Sequence, residues 1–354
     1  MRDITVMFTA CGSQFAPGIV KCFKNNGERE IRVIGGDMNT HPTNKYYVDV
    51  FYPLPPATAP NYVDEILSIC KKEKVDILFP QMSAELTAIE DKIDLFQQIG
   101  TTVSITRGSN LKIANNKALL YQYMSDNNIE VPPFRIAKSL DEFEQAVAAL
   151  GYPDKPVCIK MSESSGSRGI RIIDSSKSLY DLFVHSKPES FHTTYEYMIR
   201  TLKEAPSFPE LLIMKCLPGN EYTVDLLADD GDVLYISGRN NTSMMMSIAQ
   251  ESILQENQHA FEIAKKFVKG LRLNGVIGMD FIFDENGFTQ LMDINPRIDA
   301  TVAMFAAGGL NLPYLCVKKI LGEDLPKVEI KYGTQLKRRY DEAFTDVDGV
   351  RIDW

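Results

Sequence analysis

The chain has 354 residues, a net charge of -9, 44% apolar and 24% charged residues, which is the profile of a globular chain of about two or three domains. The acidic balance argues against nucleic acid as the main partner, because phosphate backbones recruit basic surfaces. No run of about 18 apolar residues is present, so no membrane span is expected.

The six cysteines, Cys11, Cys22, Cys70, Cys158, Cys216 and Cys316, are scattered and form no C-x-x-C pair. That usage, with no apolar signal segment at the N-terminus, predicts buried thiols and a cytoplasmic protein. Ile4 to Thr9 reads as a buried strand, Pro17 to Asn25 as a helix, and Ile31 to Gly35 as a second strand. A helix over Asn61 to Lys72 and a strand over Val75 to Pro80 follow. Strands that alternate with helices predict a parallel sheet, with ligands at the carboxyl ends of its strands. The loops Cys11 to Gln14, Gly35 to Asp37 and Gln81 to Glu85 are therefore expected to share one crevice.

A boundary is expected near Ser109 to Asn115, followed by a helix over Lys117 to Asn127 and a turn at Pro132-Pro133. A strand over Phe134 to Ala137, a helix over Leu140 to Leu150 and a strand over Val157 to Met161 come next. The Ser/Gly loop 162–169 then leads to a strand over Ile170 to Ile173. Residues Ser186 to Pro209 read as irregular. Strands resume at Leu211 to Cys216 and Glu221 to Ala228, and a helix spans Glu256 to Lys269. Gly278 to Asp284 and Phe288 to Asn295 read as a hairpin turning over Asn286-Gly287. The last 24 residues or so are charged and weakly patterned.

Three segments carry chemistry. In Met292-Asp293-Ile294-Asn295-Pro296-Arg297, strand alternation sets Asp293 and Asn295 on one face. With Asp280 from the preceding strand they make an oxygen set suited to Mg²⁺. Pro296 ends the strand and Arg297 emerges beside the oxygens, where it can clamp a phosphate or carboxylate. Lys160 ends an apolar strand before Ser164, Ser165, Gly166, Ser167 and Gly169, small residues whose backbone can approach phosphate oxygens. No G-K-[ST] closes this loop, so it is not a Walker A motif. The strand Leu211 to Cys216 could offer backbone groups to an adenine edge, and Glu221 could accept from ribose hydroxyls. Each motif also has a plain reading as a hairpin with solvated acids, a flexible tip, or an edge strand.

Their order, Lys117, Lys160 with its Ser/Gly loop, Pro218-Gly219-Asn220-Glu221, Asp280, then Asp293-x-Asn295-x-Arg297, resembles the ATP-grasp superfamily. The branch it is similar to contains the ATP-grasp halves of carbamoyl phosphate synthetase, biotin carboxylase and the pyrrolysine-pathway ligase. The resemblance covers Asn110 to Pro326, and the preceding part looks like the domain that comes before ATP-grasp in that branch. It implies an α/β chain, α+β in its ATP-grasp part: a Rossmann-like parallel sheet in residues 1–110, then a two-subdomain ATP-grasp fold. That fold divides into a small subdomain over 111–186 and a large one over 187–330, with a tail over 331–354.

The resemblance also implies roles. Lys117 and Lys160 would reach ATP phosphates, and Ser164 to Gly169 would form a mobile phosphate lid. Lys215 and Leu217 would contact adenine through backbone groups, Glu221 would bind ribose, and Met292 would lie under the adenine. Asp280, Asp293 and Asn295 would hold magnesium, with manganese as the alternative ion, and Arg297 would stabilise the transferring phosphoryl group. Arg239, after an apolar strand, is the candidate for facing substrate together with Arg297.

Asp293 stands where the family often has Glu, and Lys215 where it often has Glu near the adenine. The chain is about one ATP-grasp unit long, so the two-unit carbamoyl phosphate reaction with its glutaminase partner is not expected. The implied activity is a ligase that joins a small-molecule carboxylate to an amine through an acyl phosphate, with a homodimer as one assembly. A kinase on the same fold and a nucleotide-binding subunit without turnover are the rivals. His41, His185, His192 and His259 show no metal spacing, Cys11 reads as a βα-turn thiol, and the Met244 to Met246 run reads as core or a flexible pocket wall.

Overall fold

The apolar runs at the start of the chain form a five-stranded parallel sheet, in the order Val50–Pro53, Ile31–Asp37, Ile4–Phe8, Ile77–Phe79, Thr102–Val103. The computed structural model describes residues 2–164, 166, 168–187, 190–245, 248–339, 342–347 and 350–352. Val6, Met7 and Phe8 are fully buried, as expected of a parallel strand covered on both faces. The three carboxyl-end loops do share a crevice: the Cys11 amide donates to the Gly36 carbonyl at 3.1 Å and the Gly12 amide to Asp37 Oδ2 at 2.7 Å. The Thr9 amide reaches the Phe79 carbonyl at 3.3 Å, and the Thr9 hydroxyl meets the buried Glu85 carboxylate.

A second sheet runs Phe134–Ala137, Leu211–Lys215, Val157–Met161, Ile170–Ile173, His192–Thr193, antiparallel except for its last pair. The expected boundary at 186/187 falls between Ile170–Ile173 and His192–Thr193, two strands of this one sheet. The segment 186–209, expected to be irregular, holds that last strand and a helix, Tyr195–Lys203. The helix is capped by Thr194, whose hydroxyl accepts from the Tyr197 amide, and it buries Met198 and Leu202. Those residues pack with Phe143 and Val147 of Leu140–Ala149 to back the sheet.

The third sheet has six antiparallel strands: Thr289–Asn295, Gly275–Phe283, Glu221–Asp229, Asp232–Met245, Ile248–Leu254 and Gln335–Lys337. The weakly patterned tail thus contributes an edge strand. The amphipathic helix Gln258–Gly270 buries Phe261, Ile263, Phe267 and Val268 against one face. The expected hairpin forms, with a bulge: Asp280 pairs with Asp293 and Phe281 with Leu291, which leaves Met292 as the extra residue. Strict alternation would put Leu291 on the face of Asp293; the bulge turns Leu291 into the core, where it is fully buried, and frees Asp293 for the other side.

Two connections join the layers. Helix Lys117–Asp126 lies between the second and third sheets, where the Tyr121 hydroxyl donates to the Leu291 carbonyl at 3.3 Å and touches the sulfurs of Met214 and Met292. Helices Val302–Ala307 and Leu312–Ile320 return to the first sheet, and Phe305, Leu312, Leu315 and Val317 share one core with Ile19, Val20 and Phe23 of Ala16–Lys24. Lys318 to Glu28 at 2.6 Å and Arg29 to Glu323 close its rim. Among the described residues no helix is long and apolar enough to cross a membrane.

The shared core makes Phe305→Ala a test of the architecture. It should cost about 3–5 kcal/mol in urea unfolding, with faster amide exchange both in Leu312–Ile320 and across Ile4–Phe8. Exchange that rises only in residues 302–320 would show that the two ends of the chain do not share a core.

Candidate active site

The third sheet carries polar residues on the face opposite the Gln258–Gly270 helix. Along Glu221–Asp229, Tyr222, Val224 and Leu226 enter the core, which sends Glu221, Thr223 and Asp225 to the other side. Register sets Thr223 between Asp280 and Arg239. Asp280 stands opposite Asp293, and Gly278 opposite Asn295. Asn295 Nδ2 donates to Asp280 Oδ2 at 2.9 Å and the Thr223 hydroxyl to Asp280 Oδ1 at 3.1 Å. Gly278 makes room: a Cβ there would lie 3.3 Å from Asp299 Cβ and 3.7 Å from both Asn295 Cβ and Asp225 Oδ1.

Asp280, Asp293 and Asn295, proposed from sequence as the metal set, therefore come together. Among the described residues no three His, Cys, Asp or Glu side chains close an all-protein metal cage. Two carboxylates and an amide oxygen fit a magnesium ion that keeps positions for phosphate oxygens and water. A cationic group already stands at this set, since Lys117 Nζ is 2.9 Å from Asp293 Oδ2. The same ammonium donates to the Ser164 carbonyl at 3.3 Å, and the Lys117 amide donates to the Ser162 carbonyl at 2.8 Å. Lys117 thus ties the Ser/Gly loop to the acids. Asn116 adds a bond to Glu163 at 3.0 Å.

In the loop, the Ser164 hydroxyl donates to the Arg168 carbonyl, and Gly166 and Gly169 have positive φ of 63° and 70°. A side chain at Gly169 would be strained twice, because its Cβ would also lie 2.6 Å from Met161 Cγ. Ser165 and Ser167 lie outside the described residues. Lys160 is nearly buried at the end of Val157–Met161, and its charge is felt at Glu221 and Cys158. Arg297 donates to Asn295 Oδ1 at 3.0 Å and to the Ile298 carbonyl at 3.1 Å.

The adenine-side residues divide. Met292 is buried beside Tyr121, and Leu217 packs half-buried on the same core. The Lys215 side chain turns away to Glu285 on the hairpin loop, and its amide donates to the Pro133 carbonyl at 2.9 Å. Glu221 accepts from Asn241 Nδ2 at 2.8 Å and sits with the acids.

Arg239 is buried, with its guanidinium held by protein acids: one terminal nitrogen donates to Asp299 Oδ1 at 2.8 Å, the other to Asn241 Oδ1, and Nε lies 3.9 Å from Asp225 Oδ2. Thr223, Asp225, Asn241 and Asp299 were not singled out from sequence. The alternation Glu221-x-Thr223-x-Asp225, matched by Arg239-x-Asn241 on the paired strand, is the signal that could have found the first three.

Burial and mutual repulsion govern the charges. Asp280 is pushed up to about 8, first by burial and then by Glu221, Asp299 and Asp293, with Arg239 opposing. Glu221 is also raised, mainly by burial, and Asp225 well above the usual range, by burial and then Asp299. Burial disfavours the Asp299 charge too, yet Arg239, the Thr301 amide and Arg297 hold that carboxyl below its ordinary value. Cys11 is raised to about 12 by burial and then Asp37, which leaves an unreactive thiol.

Asp280 yields a pH test. Unfolded, it ionises near about 3.9; folded, it does so at about 8. Its contribution to stability is complete at low pH and is lost as pH rises toward that folded value. Without divalent metal, the wild-type Tm should fall more steeply from about pH 5 to about pH 8 than that of Asp280→Asn, which cannot titrate. Mg²⁺ should flatten the wild-type slope, because metal binding displaces the proton. Parallel slopes in the two proteins would remove Asp280 from the cluster.

Residues 207–341 match the family described as ATP-grasp in the biosynthetic pathway with Ter operon, and residues 6–104 match the PylC-like N-terminal domain. The carbamoyl phosphate synthase large chain of Clostridium acetobutylicum is 24% identical over 288 residues, covering 78% of this chain and 25% of that protein. The chain thus spans about a quarter of that relative's length. Among solved structures, the biotin carboxylase domain dimer of Hydrogenobacter thermophilus 2-oxoglutarate carboxylase, in complex with MgADP, ADP and bicarbonate, superimposes with a TM-score of 0.68 at 17% identity, over 94% of this chain and 73% of that one. N5-carboxyaminoimidazole synthetase from Staphylococcus aureus, complexed with ADP, gives 0.66 at 13% identity, over 93% and 80%. At these identities the likeness is one of fold. The two family matches lie on either side of the Lys117 and Lys160 segment: a PylC-like N-terminal domain over residues 6–104 precedes an ATP-grasp domain matched over residues 207–341.

Proposed function

We propose that the protein is an ATP-dependent carboxylate–amine ligase that works through an acyl phosphate. The observation that carries this reading is Lys117, whose ammonium joins the Ser/Gly loop to Asp293 in the acid set. A phosphate-covering loop and a metal site tied by one cation are the parts that phosphoryl transfer needs, since its catalysis is mostly positioning and charge neutralisation. ATP is the nucleotide of the proposal, with Met292 and Leu217 as the apolar contacts to adenine and Glu221 for ribose. Asp280, Asp293 and Asn295 would hold Mg²⁺ or Mn²⁺, which would neutralise the β- and γ-phosphate oxygens.

In the proposed reaction, a carboxylate oxygen attacks the γ-phosphorus and ADP leaves. Lys160 and Arg297 offset the charge that would repel this anionic nucleophile. The loop over Ser164 to Gly169 keeps water from the acyl phosphate. An amine then attacks the acyl carbon and phosphate leaves. Arg297, half-buried beside Asn295, is the better candidate for the substrate carboxylate, because Arg239 is buried and committed to acids. An amino acid or bicarbonate are the carboxylates to try first. A cytoplasmic setting belongs to the proposal, in keeping with six cysteines that form no disulfide.

Two outcomes test it. With Mg-ATP, a panel of amino acids and bicarbonate, and hydroxylamine in place of the amine, the right carboxylate should yield a hydroxamate with stoichiometric ADP. A stable phosphate ester instead would mark a kinase, and no ADP with any substrate would mark a binding protein. Asp293→Asn should keep the fold, judged by circular dichroism, and lower ADP formation by at least about a hundredfold, the scale of losing one preorganised charge. Wild-type rates in that variant would move the metal site elsewhere.

A further inference from the structure

The edge strand Gln335–Lys337 pairs with Ile248–Leu254, with Leu336 opposite Ser252. It delivers Arg338 to a specific place. The Arg338 amide donates to the Gln250 carbonyl at 2.9 Å, and its Nε to the Ala249 carbonyl at 2.7 Å. One terminal nitrogen donates to the Ala300 carbonyl at 3.2 Å and to the Thr301 hydroxyl at 3.3 Å. A guanidinium presents its donors as a rigid planar fork. These bonds therefore fix the backbone at 300–301 relative to the strand Ile248–Leu254.

That backbone leads directly to the site. The Thr301 amide donates to Asp299 Oδ1 at 2.8 Å, and the same oxygen accepts from Arg239. Arg239 holds Asn241, which donates to Glu221 and Thr223, and Thr223 donates to Asp280. Asn241 is also held by Ser252, on the strand that pairs with the tail. An unbroken polar chain thus runs from the tail to the metal-side carboxylate. Asp299 is the acid on which the Arg239 charge is balanced. A shift of its loop by about 1 Å is the size of misplacement that can cost about a hundredfold in rate.

We propose that Arg338 is a positioning residue for the reaction: by clamping Ala300 and Thr301 it sets where Asp299, and through it Arg239, stand. The tail strand is then part of the active-site architecture. The inference rests on the ligase reading above for its kinetic consequence, though not for the clamp itself.

The test uses the full chain as Arg338→Gln, Arg338→Lys, Asp299→Asn and the Arg338→Gln/Asp299→Asn double variant. Three readouts are taken: kcat and KM for the carboxylate and amine, Kd for Mg-ATP, and hydrogen exchange in the peptide 297–303. Arg338→Gln should lower kcat by about tenfold to a hundredfold and speed exchange at the Thr301 amide, with the Mg-ATP Kd changed by less than about twofold. Arg338→Lys should recover part of the rate, because an ammonium can reach one of the anchors without spanning both. On the Asp299→Asn background, Arg338→Gln should add less than about threefold, since the two act through one oxygen. Full additivity, a wild-type rate in Arg338→Gln, or a parallel loss of nucleotide affinity would overturn the positioning role. If the wild type turns over no substrate, the ligase reading falls, and the clamp is decided by exchange alone: unchanged protection of Thr301 in Arg338→Gln would overturn it.

Discussion

Five carboxylates, Glu221, Asp225, Asp280, Asp293 and Asp299, crowd one face of the third sheet, where burial removes much of the water that would screen them. Arg239 lies within reach of two of these, Asp225 and Asp299, and the carboxyls respond in opposite directions. Asp299 receives the short bond and the Thr301 amide and is held below its ordinary value; Asp225, with no hydrogen-bond partner among the described residues, is driven toward its neutral form. One buried cation thus accompanies opposite shifts in two neighbouring acids, favouring the charge on Asp299 and the proton on Asp225, a division that environment alone can enforce on two chemically identical groups. On the open side Lys117 Nζ pairs with Asp293 Oδ2 at 2.9 Å.

The surrounding fold makes that crowding geometrically possible. Extra residue Met292 turns Asp293 away from the core that Leu291 enters. Gly278, without a side chain, leaves the gap in which Asp225, Asn295 and Asp299 approach one another. Tyr121, fixed between Met214 and Leu291, holds the second and third sheets at a common separation, so that Lys117 on the same helix meets both the Ser/Gly loop and Asp293. The metal-side acids are built on strands, and the loop that faces them is anchored by Lys117 and Asn116.

Much of this was legible in the sequence where the physics is local. Apolar runs broken by helices gave the parallel sheet, and Asp293-x-Asn295 and Lys160 with its small-residue loop were visible as two-residue alternation and turn chemistry. What was missed depends on distance. Leu211–Lys215 inserts between Phe134–Ala137 and Val157–Met161, an order no periodicity encodes, so the strand was assigned across a boundary from its own sheet. Asp299 follows the strand in a loop and acquires its role only when the chain brings Arg239 to it. Arg338 falls in a tail that reads only as charged and weakly patterned, because nothing local tells that residues 249 and 300 wait for it. The helix Tyr195–Lys203 is the exception: its apolar spacing at Tyr195, Met198, Ile199 and Leu202 was there to be read.

The core shared by Ala16–Lys24 and Leu312–Ile320 also constrains how the protein is made. Synthesis proceeds from the N-terminus at about 5–20 residues per second. The apolar stripe of Ile19, Val20 and Phe23 therefore leaves the ribosome some 290 residues before Leu312, Leu315 and Val317 exist to cover it, an interval of about 15 to 60 seconds at that pace. Through that interval the first sheet is a nascent layer with one flank uncovered, a candidate for chaperone engagement, and a ribosome stalled anywhere before residue 312 would hold it in that sticky state.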